Sequence, residues 1–561
     1  MDEWELVSLF TKVANGQFSF GDFFAQHNEH RIIFTKIIIV IIAFISQWNI
    51  DYELCVNIFL SIFNFYIIYK IYLVTRSEHN RWVDHLVNLI ICFTIFSWCH
   101  YEILLSGLGI VWLLTNTCVL LAILSISGNY EQLSIRARLS LAAIWCFIAS
   151  FSAAHGLLSW LALLPSIIAL SGNLCQKIRT LLFWIGLWLG TCIIYFLDYH
   201  KTSGNYYYSI LLEKPLAVLA YFFSILGSPL ASGSLESLLL GIICFLNVTL
   251  FAIYCIIKLK SKFTHQAAPW FSLSLFALLF AIVTTLGRGL STIQVAGELS
   301  SLKFAAVTSR YLSVSIFLII SLLQIWRLFL SRNSTDRLGQ PKIQGKPKFF
   351  VYFFTGIIFY LTLVKSIYAI PHAKYIQTLR QNAQACLNVV HFLEISLPPT
   401  GCLWEVYPSA PLVQKYVAAL EEIKFRSFPK NLDFLAKPAK VYGVMEKPQL
   451  THDYLNINKN ENKNILFSGW AIIPNQKELP KLALLSYQGQ KSFFTTAYVA
   501  FPRPDIAQTL NSEQYTLSGW SVDYPTESMP LGEQVIQAWV YDKQGEQFVK
   551  LQGEVKVVVK E

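Results

Sequence analysis

Long apolar stretches constrain this sequence more than any other feature. About ten runs approach the roughly 20 apolar residues that a helix needs to cross a bilayer. Hydrophobic residues make up 54% of the 561 residues and charged residues only 14%. A soluble domain cannot bury that much apolar surface, so the sequence predicts an α-helical polytopic membrane protein. The predicted spans are residues 52–74, 84–99, 106–127, 138–153, 156–170, 180–197, 235–257, 268–286, 310–330 and 349–369.

Two further apolar runs are ambiguous. Residues 32–47 are short and contain Lys36, while residues 214–231 contain Pro215, Gly227 and Pro229. A run broken by such residues suits a segment that re-enters the membrane or lies in its plane.

Lysine and arginine indicate the orientation. They are concentrated in alternate loops, and cytoplasmic loops are enriched in these residues. The basic loops are 75–83, 128–137, 171–179, 258–267 and 331–348. Residues 1–51 and 370–561 then lie outside the cytoplasm, provided that 32–47 is an interfacial helix. Both ends outside without a signal peptide would require a further helix upstream of Met1. The net charge of +10 is explained by these loops, so we expect no nucleic-acid binding.

The chain after residue 370 has a different composition. Residues 371–440 are predicted to form a helical linker, and residues 441–561 a small antiparallel β-sandwich. The segments FSGWAIIP (467–474) and LSGWSVDYP (517–525) resemble each other. We expect them to be paired core strands, with a tryptophan platform for sugar stacking as the alternative. If this region is extracytoplasmic, Cys386 and Cys402 are expected to form a disulfide.

Six polar groups fall on the predicted extracytoplasmic side. They are Asp2, Glu3 and Glu5 around Trp4; His27, Asn28, Glu29, His30 and Arg31; His100 and Glu102; His155; Arg288; and Ser309, Arg310 and Tyr311. Taken singly, each suits a simpler role, because Arg and His at helix ends often anchor in lipid headgroups and an acidic terminus is often a solvated tail. An H-x-x-H pair without a third ligand is a weak metal signal. Taken together, the arginines suit a phosphate, and a nearby carboxylate suits a general base or a cation ligand.

The chain resembles the GT-C class of integral-membrane glycosyltransferases, and more closely a bacterial group of multispanning proteins related to that class. The residues that carry the resemblance are DEWEL (2–6), QHNEHRI (26–32), HYEILLSG (100–107), GRGLS (287–291) and SRY (309–311). The C-terminal segments SGWAIIP, FPRPDIA and SGW also resemble this group.

The resemblance implies an inverting transfer of a sugar from a polyprenyl-phosphate carrier to an extracytoplasmic glycan or lipid acceptor. Asp2, Glu3 or Glu5 would be the catalytic carboxylate, and residues 32–47 an in-plane helix of the first extracytoplasmic loop. Arg288 and Arg310 would hold the carrier phosphate. The remaining polar residues would line the cavity: His27, Asn28, Glu29, His30, Arg31, His100, Glu102, His155 and Tyr311. No cofactor is required by the resemblance, although some relatives bind a divalent cation (Mg²⁺ or Mn²⁺) at the catalytic acid, which here would be Asp2.

The resemblance also implies a location in the bacterial inner membrane, with the C-terminal domain outside the cytoplasm. This sequence departs from the class by lacking the first helix, which agrees with the expectation of a helix upstream of Met1. Two other functions remain open. A transporter or flippase for a lipid-linked or anionic solute would use the same arginines, and a non-catalytic scaffold would bind through its β-domain.

Overall fold

The computed structural model describes residues 2–76, 81–128, 133–170, 172–200, 207–258, 261–296, 308–332, 346–394, 401–448, 454–461, 463–474, 476 and 478–561. Parts of the basic loops that predict the orientation, including residues 77–80 and 333–345, lie outside these ranges. The chain divides into two compact units. One comprises Phe18–Ala373, and the other comprises Met1–Gln17 with Lys374–Glu561. Residues 2–17 therefore group with the C-terminal part of the chain, and the predicted extracytoplasmic loop 1–51 stays a prediction.

The unit Phe18–Ala373, called here the helical unit, contains α2–α17 and the first part of α18. Its helices are α2 (Phe20–Phe24), α3 (Ile33–Ser46), α4 (Ile50–Thr75), α5 (Arg81–Ile95), α6 (Tyr101–Leu104), α7 (Gly109–Ser127), α8 (Ile135–Ser150), α9 (Ser159–Ala162), α10 (Leu164–Ile168), α11 (Leu174–Phe196), α12 (Ile210–Glu213), α13 (Pro215–Gly227), α14 (Ser234–Ile257), α15 (Lys262–Thr284), α16 (Leu290–Ala296), α17 (Ser309–Arg332) and α18 (Lys346–Leu387). Helix α1 (Val7–Ala14) belongs to the other unit.

Eight helices in the described part of the chain are long and apolar enough to cross a membrane. They contain α4, α5, α7, α11, α14, α15, α17 and α18. Helix α17 lies at the centre of the unit, since 89% of its most apolar window is buried, compared with 17% for α11. The apolar side chains left exposed on the outer helices are those that a bilayer would cover.

Two of the ten predicted spans are not among these eight helices. Residues 138–153 correspond to α8, which has 16 residues, and residues 156–170 are broken into one 3-10 turn (Ala154–Leu158), α9 and α10. At Gly156 the backbone lies so close to α8 that a Cβ atom would be 1.9 Å from Ala149 O. Apolar composition alone does not reveal such a break.

The two ambiguous runs form short helices. Helix α3 has 14 residues and ends at Gln47 and Trp48, both in the left-handed region with φ of 53°. Helix α13 begins at Pro215 and packs tightly on α14, because Gly227 lies against Ser237 O and Gly241 against Phe223 O. Their positions in the membrane stay predictions.

The C-terminal part of the other unit folds as a seven-strand barrel. The strands described in this part of the chain, seven of which form the barrel, are β1 (Asp433–Leu435), β2 (Gly443–Lys447), β3 (Leu455–Asn458), β4 (Asn464–Ala471), β5 (Leu482–Tyr487), β6 (Thr495–Phe501), β7 (Gly519–Pro525), β8 (Gly532–Asp542) and β9 (Gln547–Lys560). The ring runs β9-β2-β4-β7-β6-β5-β8 and closes because β8 also pairs with β9. Strands β1 and β3 add to β9 in parallel. Helices α19 (Leu403–Val406), α20 (Ala410–Glu422) and α21 (Pro504–Thr509) complete the unit.

The predicted β-sandwich is therefore wrong, and the long strand β9 is the reason. Its 14 residues pair with β8 along almost their whole length, while Gln552 pairs with Val444 of β2 on the opposite edge. Gly553 has a φ of +81°, and a Cβ atom there would lie 2.7 Å from Met445 O. Only glycine fits this backbone comfortably at the point where the ring closes.

The echoed S-G-W segments are neighbouring antiparallel strands, as predicted. Gly469 of β4 is opposite Trp520 of β7, and Trp470 is opposite Gly519. Both tryptophans are buried, with Trp520 only 1% exposed. A surface platform for sugar stacking is thus excluded for these two rings.

Helices cover one outer face of the barrel. Strand β5 is buried on both faces, since Ala483 and Leu485 point into the barrel core while Leu484 packs in the cluster that contains Val413 of α20. Cys386 and Cys402 belong to the same cluster and form the predicted disulfide, with their Cα atoms 5.8 Å apart.

Candidate active site in the helical unit

His27 and His30 lie in a tight turn, whereas an H-x-x-H metal site would require both on one face of a helix. His27 and His30 form an antiparallel bridge, in which each N–H donates to the other's carbonyl at 2.8 and 2.9 Å. Asn28 adopts a φ of +49°, a conformation that asparagine tolerates better than most residues. The turn places Glu29 at its tip.

Glu29 forms an ion pair with Arg288, which lies 259 positions further along the chain. Glu29 Oε1 is 2.7 Å from Arg288 Nη2, and the Arg288 side chain is 60% exposed. Arg288 belongs to a π-helical turn, Thr285–Gly289, at the end of α15. Such turns are frequent at functional sites because they redirect side chains within a helix.

A second glutamate lies beside the second arginine. The backbone N–H of Arg310 donates to Glu102 Oε2 at 3.0 Å, and that of Glu102 donates to Ser309 Oγ at 3.3 Å. Ser309 Oγ donates in turn to Cys99 O at 2.6 Å. These bonds attach the start of α17 to residues 99–102 and leave the exposed Arg310 guanidinium at the surface.

The two pairs belong to one electrostatic cluster, called here the Arg–Glu cluster: Glu29, Glu102, Arg288 and Arg310. The charges of all four side chains act on the hydroxyl group of Tyr311. Beneath the cluster, Trp112 stacks on His155 with ring centres 4.8 Å apart, and lies 6.2 Å from the Tyr311 ring. The structure therefore brings together Glu29, His30, Glu102, His155, Arg288, Arg310 and Tyr311. Trp112 was missed because nothing distinguishes it from the other tryptophans of the sequence.

His30 is a neutral member of this region. Burial lowers its pKa from the usual 6.5 to about 4, against the attraction of Glu29 and in the same direction as Arg288 and Arg310. The N–H of Ala154 donates to His30 Nδ1 at 3.3 Å. In the neutral ring the hydrogen therefore resides on Nε2, so His30 can donate one hydrogen bond at neutral pH.

Arg31 is predicted to line the substrate cavity, but in the structure it donates hydrogen bonds to three backbone carbonyls. Its Nε donates to Tyr195 O at 2.6 Å, Nη1 to Phe24 O at 2.7 Å, and Nη2 to Leu197 O. The residue is 2% exposed, and its guanidinium also lies 4.2 Å from the centre of the Phe24 ring. Because these carbonyls end helices α2 and α11, Arg31 serves as a cap.

His100 is also buried, and its Nε2 lies 3.2 Å from Thr94 O. It lines a small cavity inside the helical unit together with Asn64 and Asn116. In the turn at residues 27–30, His27 takes part in the antiparallel bridge with His30, and Asn28 has the positive φ that bends the chain.

The acidic residues at the N-terminus belong to the other unit. Tyr407 OH donates to Glu5 Oε1 at 3.0 Å, and Trp4 stacks on Tyr416 with ring centres 6.5 Å apart. Glu3 is described, whereas the Asp2 side chain lies outside the described part of the structure. The catalytic role of these three acids stays a prediction.

Among the described residues, no group of three or more His, Cys, Asp or Glu side chains could hold a metal ion. His27 and His30 thus have no third ligand of these types in that part of the chain, and the Mg²⁺ or Mn²⁺ site at Asp2 stays a prediction.

The fold and the site together indicate the class of protein. Eight apolar helices and a C-terminal β-barrel domain are consistent with a multi-pass membrane protein that carries a polar cluster at one set of helix ends. Comparison of the chain with protein-family models, curated proteins and solved structures found no match.

Proposed function

We propose that the protein transfers a sugar from a polyprenyl-phosphate-linked donor to a glycan or lipid acceptor at the extracytoplasmic face of the bacterial inner membrane. The observation that carries the proposal is the Arg–Glu cluster. Two arginines and two carboxylates from separate parts of the chain form two Arg–Glu contacts and lie near Tyr311.

The arginines suit the leaving group. Arginine binds phosphate oxygens through two parallel hydrogen bonds, and its charge stabilises a departing phosphate. Arg288 and Arg310 are both exposed, so a phosphate headgroup can reach them from outside the helical unit. Arg288 has five N–H donors and can contact an anion while one nitrogen remains near Glu29.

The carboxylates suit the acceptor. A carboxylate that removes the proton from an acceptor hydroxyl lets its oxygen form a bond to the anomeric carbon. The bond from that carbon to the phosphate oxygen breaks, and the polyprenyl phosphate leaves with the electron pair. Glu29 and Glu102 are the carboxylates beside the arginines, while Asp2, Glu3 and Glu5 keep the role that the resemblance implies. Neutral His30 would donate a hydrogen bond to the sugar.

The remaining features fit an extracytoplasmic location. A disulfide between Cys386 and Cys402 suits an oxidising compartment. The basic loops favour the same orientation. In this proposal the barrel binds the acceptor glycan.

Sugar transfer by purified protein tests the proposal. The donor is a polyprenyl phosphate carrying an isotopically labelled sugar, and the readouts are labelled product and released carrier phosphate in the presence of cell-envelope acceptors. We expect Arg288→Ala and Arg310→Ala to reduce transfer by about a hundredfold or more. Arg179→Ala, at an exposed position of α11, is the matched control and should leave transfer unchanged. Wild-type rates in both cluster variants would contradict the proposal.

A transporter for a lipid-linked or anionic solute is the second candidate, because the exposed Arg288 and Arg310 would bind its anionic group equally well. Movement of a labelled solute across proteoliposomes without any sugar transfer would favour it.

A further inference from the structure

A π-helical turn at the end of α15 determines where Arg288 points. In this turn, Thr285–Gly289, the N–H of Leu290 donates to Thr285 O, which is one residue further back than in an α-helix. Each residue of an α-helix rotates the chain by about 100°, so the extra residue changes the direction of the side chains in the turn. The approach of Arg288 to Glu29 therefore depends on this turn.

Hydroxyl groups that follow the turn do not explain why it forms. Ser291 Oγ and Thr292 Oγ1 both donate to Arg288 O at 2.9 Å. Serine and threonine commonly make such bonds three or four residues along a regular helix. The feature that distinguishes this turn is instead its packing against the rest of the helical unit.

Tyr221 of α13 packs directly against Gly289 in this turn. A Cβ atom at position 289 would lie 2.8 Å from Tyr221 Cδ1 and 3.0 Å from Cε1, well inside the usual contact distance of two carbon atoms. Tyr221 is fully buried in the hydrophobic core of the helical unit, so its ring has little room to move. The backbone can take this path past the ring only with glycine at position 289.

The other glycine of the turn, Gly287, has no such contact. Within the described part of the chain, a Cβ atom at position 287 would meet no atom within 4 Å apart from its own stretch of backbone. Gly227 and Gly241 differ in another way, since they face backbone carbonyls, which no substitution can shorten. Gly289 faces a side chain, so a shorter residue at position 221 would relieve the contact.

Tyr221 also lies beside the Arg–Glu cluster. The charges of Arg288 and Arg310 both act on its hydroxyl group. A change at Tyr221 can therefore alter the site without removing a group that would touch a phosphate.

We propose that Tyr221 and Gly289 are positioning residues, which hold the π-helical turn so that the Arg288 guanidinium faces Glu29 and an arriving phosphate. The inference rests on the proposed function, because it takes the phosphate of the lipid-linked donor as the ligand of Arg288. The position of Arg288 relative to Glu29 requires no ligand, so it can be tested separately.

Binding of farnesyl phosphate to the full chain in detergent tests the effect on the ligand. Isothermal titration measures it, and farnesol, which lacks the phosphate, is the control ligand. We expect Gly289→Ala to weaken binding about tenfold or more, because a displaced guanidinium loses charge-assisted hydrogen bonds. Gly287→Ala raises the helix propensity of the turn equally but places its methyl group in open space, so this matched control should bind as the wild type does.

A second substitution restores the space at position 289. Tyr221→Val lacks the two ring atoms closest to that position, so combining it with Gly289→Ala should recover most of the lost affinity. Alone, Tyr221→Val should weaken binding, whereas Tyr221→Phe keeps the ring and should not. A protein that is merely destabilised would not regain affinity when a further core side chain is shortened.

Reaction with phenylglyoxal tests the position of Arg288 without a ligand. The ion pair with Glu29 favours the protonated guanidinium, which is the unreactive form, so Glu29→Gln gives the rate of an unpaired Arg288. We expect Gly289→Ala to approach that rate, and its combination with Tyr221→Val to return towards the wild type. Mass spectrometry measures modification of Arg288 and of the exposed Arg179, which is the control.

Three results would overturn the proposal. The first is wild-type binding and reactivity in Gly289→Ala, and the second is no recovery in the double variant. The third is an equal loss in Gly287→Ala and Gly289→Ala, because helix propensity and not the contact with Tyr221 would then determine the turn. If the wild type binds farnesyl phosphate no better than farnesol, the proposed function is contradicted, while the phenylglyoxal rates still decide whether Tyr221 and Gly289 position Arg288.

Discussion

Arg288 Nη2 lies 2.7 Å from Glu29 Oε1, which joins the turn at residues 27–30 to the π-helical end of α15. The Arg288 side chain is 60% exposed and that of Glu29 is 28% exposed, so solvent screens the pair and its contribution to stability is small. An exposed arginine that already faces a carboxylate is instead suited to exchanging that partner for an anionic ligand. The conformation of the turn, which places Glu29 beside Arg288, is thus connected with the proposed binding of a phosphate by Arg288.

The first prediction concerns the coupling of this pair. In a double-mutant cycle with Glu29→Gln and Arg288→Gln, we expect a coupling energy of at most about 1 kcal/mol, because solvent screens the charges. Thermal unfolding in detergent measures it. A coupling of several kcal/mol would mean that the pair is a structural clamp, and the ligand-exchange interpretation would then be wrong.

The second prediction distinguishes the structural role of Arg31 from the proposed ligand-binding role of Arg288. Arg31→Ala leaves the buried carbonyl oxygen of Tyr195 and the partly buried one of Leu197 without this donor, so we expect a loss of about 3 kcal/mol in stability. Arg31→Lys should restore little, since one ammonium cannot reach all three carbonyls. Arg288→Ala, the matched change at an exposed site, should alter Tm only slightly. Equal effects of the two alanine variants would contradict the capping role.

The third prediction is a pH dependence caused by His30. Its pKa is 6.5 when unfolded and about 4 when folded, so between these values the unfolded state binds more protons. Stability is therefore complete above pH 6.5 and falls as the pH decreases to 4, by up to about 3 kcal/mol. His30→Gln should flatten this part of the stability profile. An unchanged profile in that variant would show that other groups cause the loss.

The features that could be predicted from the sequence depend on residues that are close together in the chain. The apolar runs identified the eight span-length helices, and the repeated S-G-W segments identified the pairing of β4 with β7. Both follow from periodicity and from local repetition. The barrel was missed because alternating strands occur in sandwiches and barrels alike, and closure depends on the contact of β9 with β2.

The site required information that periodicity does not contain. Arg31 and Arg288 look alike in the sequence, as each is a basic residue near the end of an apolar run. Only the fold brings Tyr195 O to Arg31, 164 positions away, and Glu29 to Arg288. In the same way, the break at Gly156 depends on the backbone of α8.

The fourth prediction tests the disulfide together with the orientation. Closing a loop of 16 residues stabilises a fold by about 3 kcal/mol, so Cys386→Ser with Cys402→Ser should lower the Tm of the full chain. Cys175→Ser, at an exposed free cysteine, is the control and should not. After mild reduction and denaturation of the unit outside, a membrane-impermeant maleimide added to intact cells should label Cys386 but not Cys175. The reverse labelling would contradict the proposed orientation.

A buried ion pair at the opposite end of α17 leads to the last prediction. Arg327 is 2% exposed, and its Nη1 lies 3.3 Å from Asp84 Oδ1. Tyr72 OH donates to Asp84 Oδ2 at 3.1 Å, and Arg327 Nε donates to Gln324 Oε1 at 2.6 Å. The network thus fixes α4, α5 and α17 together, about 26 Å along α17 from Arg310.

Removing one partner of this pair should destabilise the protein more than removing both. Asp84→Leu leaves a buried guanidinium without its carboxylate, and we expect a loss of about 3–5 kcal/mol. Adding Arg327→Met should recover part of that loss, because an apolar pair carries no desolvation cost in the helical unit. The matched control is the exposed pair Lys550–Glu554, where Glu554→Ala should cost less than about 0.5 kcal/mol. Thermal unfolding of these three variants and the wild type provides the measurement. If the double variant is less stable than Asp84→Leu alone, Arg327 stabilises α17 through its stacking on Tyr72, 4.8 Å from the ring centre, and not through its charge.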